Sequence, residues 1–196
     1  MKNNLLSDKL AYNGDTKTRT HLHLCSYTVD RVEEAAGDDF GEMKSRFQPD
    51  GITWLQIHGL EDTDAVQTVC THFGIDFLVM QDILNTDHAS KVEEHDQYNV
   101  IIAKQIMGGE AMQVSLVQGA DFVLTFQERD NDFFDDVMRA IRNNVLKIRT
   151  RQSDYLFSVL LNGLITGYMS VAAAISDGSE ELESALLADT GDRDIG

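Results

Sequence analysis

Between Tyr155 and Ser176 the chain runs for 22 positions without a charged side chain. A stretch of that length has few homes: it can cross a bilayer, or it can form a helix buried against a protein core. Ser158, Asn162, Thr166, Ser170 and two glycines dilute its hydrophobicity, which weakens the membrane reading. The expectation is a core helix, opened by a Ser153-Asp154 cap and buried on most sides. Gly178 predicts a break before helical spacing resumes over Glu180 to Leu187.

Upstream the periodicity is mixed. Thr20 to Thr28 alternates, with Leu22 and Leu24 on one side and His21, His23, Cys25 and Tyr27 on the other, as a strand does. Pro49-Asp50-Gly51 is a turn that delivers the chain into a buried strand at Ile52 to Ile57. Glu61 to Asp64 caps a helix whose stripe is Ala65, Val66, Val69, Cys70 and Phe73, ending at Gly74. A second helix over Asp76 to Asn85 buries Phe77, Leu78, Met80, Ile83 and Leu84, with Gln81 and Asp82 interrupting. The charged run Lys91 to Tyr98 reads as an exposed bend. Strands follow at Tyr98 to Met107, Met112 to Gln118 and Asp121 to Gln127, the last two as a hairpin. From Asn131 the spacing of Phe133, Phe134, Val137, Met138, Ile141, Val145 and Ile148 is helical. Strands mixed with helices in this way predict an α/β (α+β) layered domain with a helical C-terminal part.

A length of 196 residues suits one domain with a sizeable core. Residues 1–18 read as a flexible tail and residues 19–196 as the domain. The formal charge of −17 disfavours nucleic acid and anionic membrane surfaces as partners and favours cations. Two cysteines, Cys25 and Cys70, form no disulfide framework.

No nucleophile elbow, zinc-protease helix, phosphate loop or dinucleotide fingerprint is present. The acid pairs Glu93-Glu94 and Asp135-Asp136 read as solvated charge. His21, His23 and Cys25 share one strand face and carry donor atoms suited to zinc. That pattern supports, as the alternative reading, a stand-alone metal-dependent enzyme or metal-binding module, although no CxxC or HxxxH spacing accompanies it. Asp82 is the acid of most interest. It is expected on a rigid short helix with its carboxylate aimed outward, and one or two carboxylates are what Mg²⁺ needs beside its waters.

Four stretches resemble one family. LVMQDILN (78–85), KVEEHDQYNVII (91–102), QVSLVQGADFVLTFQE (113–128) and RTRQSDYLFSVLL (149–161) are similar to motifs of the CorA magnesium and cobalt channels, in the soluble domain that precedes the membrane helices. The resemblance runs from about Trp54 to Leu187. It implies an αβα sandwich with a mixed sheet and a regulatory domain at the cytoplasmic face of the membrane, with no enzyme activity. It also implies Mg²⁺ or Co²⁺ as the cation, a homopentamer in the full-length protein, and a regulatory metal at Asp82 between subunits. Gln81 departs from the family's usual Glu, and Asn162, Thr166 and Gly167 stand where acids are common, so sensing is expected to be altered. The family's long stalk helix and two membrane helices are not in this chain, which is expected to be an N-terminal cytoplasmic piece.

Overall fold

The computed structural model describes residues 8–107 and 109–191. Its centre is strand β3 (Ile52–His58), where every residue from Thr53 to His58 is buried. A strand covered on both faces has this continuous pattern instead of clean alternation. Beside it lie β1 (His21–Tyr27), antiparallel, and then β2 (Val32–Gly37) at the edge. On the other side β7 (Phe122–Gln127) runs parallel to β3. It continues antiparallel into β6 (Glu110–Gly119), β5 (Tyr98–Met107) and the short edge strand β4 (Lys91–Glu94). The result is one mixed seven-stranded sheet in the order β2-β1-β3-β7-β6-β5-β4.

Helices cover both faces. On one lie α1 (Phe40–Lys44), α2 (Thr63–His72) and α3 (Phe77–Leu84). Met43, Val66, Val69, Ile83 and Leu84 pack there against Leu24, Ile57, Val100 and Leu124. On the other lie α4 (Asp135–Arg142), a 3-10 segment at Val145–Thr150, and α5 (Ser153–Gly191). There Val137, Ile141, Leu156, Leu160 and Leu164 meet Trp54, Leu116 and Val123. This is the layered domain with a helical C-terminal part that the periodicity predicts, and the αβα sandwich with a mixed sheet that the family resemblance implies. The side chains at period two along β1 part as expected, Leu24 into one layer and Cys25 into the other.

Several local expectations need correction. Lys91–Glu94 is a strand, because its backbone pairs with β5 although its side chains are mostly charged. On α3 it is Val79 that is buried, while Leu78 is 55% exposed. The helical spacing after Asn131 is cut in two: Asn144, Leu146 and Lys147 take left-handed backbone angles, and Val145 faces solvent. Helix α5 is not buried on most sides. Its first three turns dock on the sheet, but Ile165, Met169, Ile175 and Leu182 are exposed. It also passes through Gly178 without a break; a single glycine costs a helix about 1 kcal/mol, too little to stop a long one. By length and composition, Ser153–Leu186 is able to cross a membrane.

Of the stretch read as a tail, residues 1–7 lie outside the described residues. Leu10 and Tyr12 pack against the α2–α3 layer, and the Asn13 amide donates to the Leu84 carbonyl at 3.3 Å.

Candidate divalent-cation site at Asp82

Helix α3 is fixed at both ends, and this is what positions Asp82. Gly74 (φ +69) ends α2 in a conformation that favours glycine, and Ile75 re-enters the core. Asp76 then caps α3 with extended backbone, and its carboxylate accepts from the Tyr98 hydroxyl at 2.7 Å. The same hydroxyl accepts from the Asp76 amide at 3.1 Å. Burial, followed by the Asp76 carboxylate, pushes the Tyr98 phenol up to about 12, so it remains a donor. At the far end the last carbonyls need partners. Gln113 on β6 supplies them, its side-chain nitrogen donating to Ile83 at 3.0 Å and to Asp82 at 3.3 Å. Asn13 closes the exit by accepting from the Thr86 amide at 2.7 Å.

The Asp82 side chain sits on the last turn of this held helix and is 16% exposed. It does not project freely outward as expected. Lys91 Nζ donates to its Oδ2 at 2.5 Å, and His88 Nε2 lies 3.3 Å from its Oδ1. Lys91 also donates to Glu93 at 2.8 Å. His95 continues the line, 3.5 Å from Glu93 and 3.6 Å from Asp76, with its ring stacked on Tyr98. Burial works against the Lys91 ammonium, but Asp82 and Glu93 outweigh it and hold its pKa above the usual value. The hydrogen bond from Lys91 holds Glu93 below the usual carboxylate range. These groups line an open cleft of about 780 Å³ between α3 and β4.

Among the described residues, no three His, Cys, Asp or Glu side chains are grouped so that they could hold a metal ion. One part-buried carboxylate fits a hydrated Mg²⁺, which takes one or two carboxylates and keeps several waters, but does not make a closed cage. Gln81, read as a charge lost from the site, is 4% exposed and faces the interior. Asn162 and Thr166 lie on the exposed side of α5, and Gly167 faces Phe133.

His21, His23 and Cys25 share a face of β1 but do not converge on a common point. Cys25 is fully buried, and burial pushes its thiol up to about 12. His21 pairs with Asp38 at 2.6 Å. The His23 ring packs against both His21 and His58, with ring centroids 4.8 and 5.1 Å away. A thiol held neutral and a histidine committed to a carboxylate do not make the expected ligand set. His58 lies opposite His21 across the β1–β3 pair. Sequence reading missed Lys91 and His88 as partners of Asp82. Only the register of β4 on β5 brings Lys91 back to α3, and no sequence period signals it.

The fold defines a layered αβα domain around one mixed seven-stranded sheet, with the acid-bearing helix on one face. A family profile described as CorA-like Mg2+ transporter protein matches residues 49–196, and the chain belongs to that family. It is 32% identical over 192 residues to the cobalt/magnesium transport protein CorA of Thermotoga maritima, covering 95% of this chain and 55% of that one. The chain thus spans about half the length of this relative. The soluble domain of CorA from Methanocaldococcus jannaschii superposes with a TM-score of 0.59 at 19% identity, over 84% of this chain and 64% of that one. The ZntB cytoplasmic domain from Vibrio parahaemolyticus does so with a TM-score of 0.57 at 9% identity, over 82% and 64%. The last two share the fold.

Proposed function

We propose that this chain is the cytoplasmic sensor domain of a divalent-cation transporter, handling Mg²⁺ or Co²⁺, and that Asp82 is its metal-responsive acid. The observation that carries the reading is the placement of Asp82: a carboxylate on a helix tied at both ends, lining an open cleft, in a chain of −17 formal charge. The domain does not conduct ions. It biases a channel built from other parts of a longer protein, at the cytoplasmic face of the membrane.

In the mechanism, subunits assemble as a homopentamer whose acidic surfaces repel one another. When the cation is abundant, hydrated ions settle between Asp82 and acids of the adjacent subunit, offset that repulsion and hold the closed arrangement. When the cation falls, the ions leave and the subunits separate. A ligand moves such an equilibrium only by binding one state more tightly than the other, and an ion shared between two subunits does so. Among the described residues no three His, Cys, Asp or Glu side chains are grouped for a metal within one chain, which suits a site completed across an interface.

Sedimentation velocity tests this. The chain is run with and without millimolar Mg²⁺, beside Asp82→Ala. Association that needs Mg²⁺ and disappears in the variant is the expected result. Association indifferent to both Mg²⁺ and Asp82 would sink the assignment.

A further inference from the structure

Resting on the reading of Asp82 as the metal-responsive acid, we infer that Lys91 is a tethered competitor for it: the divalent cation binds Asp82 only by displacing the Lys91 ammonium, so Lys91 sets the cation concentration at which the site responds. Three observations carry this. The ammonium is already in contact with the carboxylate, at 2.5 Å, closer than the 2.7–2.9 Å usual for charge-assisted bonds. A metal ion bound to the same oxygen would sit within a few ångströms of a like charge, in a spot where both side chains are largely shielded from water (21% and 16% exposed) and screening is weak.

The second observation is that Lys91 is held in place from behind. It donates to Glu93 at 2.8 Å, and its stem leaves from β4, whose backbone is paired to β5. It therefore returns to Asp82 when the ion departs, instead of wandering as a surface lysine would. Third, the ammonium has somewhere to go. The cleft beside it is open and carries Glu94 as well as Glu93, so a displaced Lys91 keeps a carboxylate partner. Competition of this kind weakens the site for every cation without removing a ligand. A sensor meant to answer to an abundant ion requires a weak site of this sort.

The test uses Mn²⁺ as probe, with the free ion counted by electron paramagnetic resonance, on the chain with wild-type sequence, Lys91→Met, Lys91→Arg and Asp82→Asn. Lys91→Met is expected to bind at least about tenfold more tightly than wild type, and Lys91→Arg, which keeps the charge, to stay within about threefold. Lys91→Met binding no tighter than wild type, while Asp82→Asn abolishes binding, overturns the competitor role and leaves the Asp82 reading standing. Binding unaltered by Asp82→Asn in either background overturns both. A measurement on the unmutated chain guards against misfolded variants: acetylation of individual lysines, read by mass spectrometry, with rising Mg²⁺. Lys91 is expected to become at least about threefold more reactive, and Lys104, which donates to the Thr86 carbonyl, to stay constant. A Lys91 reactivity that does not respond to Mg²⁺ overturns the inference.

Discussion

The Tyr168 hydroxyl grips the backbone of Lys104 from both sides, accepting from its amide at 3.1 Å and donating to its carbonyl. Sixty-four positions separate the two residues. The contact ties α5, at the point where it begins to leave the sheet, to strand β5. Lys104 in turn reaches with its ammonium to the Thr86 carbonyl, just past the helix that carries Asp82. The base of the long helix and the exit of the acid-bearing helix are therefore joined through one strand residue.

Tyr168→Phe keeps the ring and removes both hydrogen bonds. Each is worth about 0.5–1.5 kcal/mol, and solvent can replace them at this exposed position, so the expected loss of stability is about 1 kcal/mol. Hydrogen exchange checks it: the Lys104 amide should lose protection, while amides at the centre of β3 keep theirs. Unchanged protection at Lys104 would mean that the grip is not maintained in solution.

Helix α5 offers a paired comparison. Leu160 is fully buried against the sheet, whereas Ile175, fifteen positions on, is 65% exposed. Leu160→Ala should cost about 2–5 kcal/mol through lost burial and a residual cavity. Ile175→Ala should stay within about 0.5 kcal/mol. Chemical denaturation of the two variants measures the difference, and equal losses would show that the outer helix is packed as firmly as its base.

That helix also marks where sequence reading stops. The docking of Leu156, Leu160 and Leu164 follows from apolar residues at helical spacing. The exposure of Ile165 and Ile175 does not, because hydropathy reports what a side chain prefers and not whether a partner is there. Ser153 makes the same point. It is the residue type that caps helices, yet its hydroxyl donates to the Gly119 carbonyl at 2.5 Å and links α5 to the β6–β7 turn. The strands were legible because β1, β3, β5 and the β6–β7 hairpin carry period-two or continuous apolar runs. The edge strands β2 and β4 were not, since an edge strand with polar or charged side chains is held by backbone pairing that leaves little mark on composition. Asp82 was legible as an acid on a short helix. Its partners were not, because Lys91 meets it through a fold-back whose register only the sheet defines.

The His58 imidazole supplies a pH dependence with a definite sign. It is 2% exposed, and burial pushes it down to about 4; Asp130, 3.0 Å away, pulls the other way, and His23 and His21 add to the lowering. In the unfolded chain a histidine titrates near 6.5. Between those values the unfolded state binds the extra proton and the folded state does not, so stability is full above about 6.5 and falls as the pH drops toward 4. The loss from this group is at most about 3 kcal/mol, by 1.36 kcal/mol per unit. Thermal melts from pH 7 to 4 should show the decline, with a shallower slope in His58→Gln. An identical slope in the variant would assign the acid sensitivity to other groups.

Gln113 carries the last prediction, since it holds the turn of α3 from which Asp82 projects. Its side chain is 2% exposed and spans the gap from β6 to the carbonyls of Ile83 and Asp82. The Asp82 carbonyl also accepts from the Asn85 amide at 3.3 Å, whereas the buried Ile83 carbonyl takes its hydrogen bond from Gln113. Gln113→Leu preserves much of the volume and removes that donor from the Ile83 carbonyl, at a cost of about 1–3 kcal/mol. The damage should be local as well as global. Amides near the end of α3 should exchange faster than the stability loss alone explains, because the last turn frays once its carbonyls are released. The site should respond too: a carboxylate on a frayed turn is less well placed to meet a cation, so Mg²⁺-dependent association should weaken beside wild type at matched fraction folded. If association is unchanged while the helix end exchanges freely, Asp82 acts without a fixed position, and the rigidity of α3 serves the fold alone.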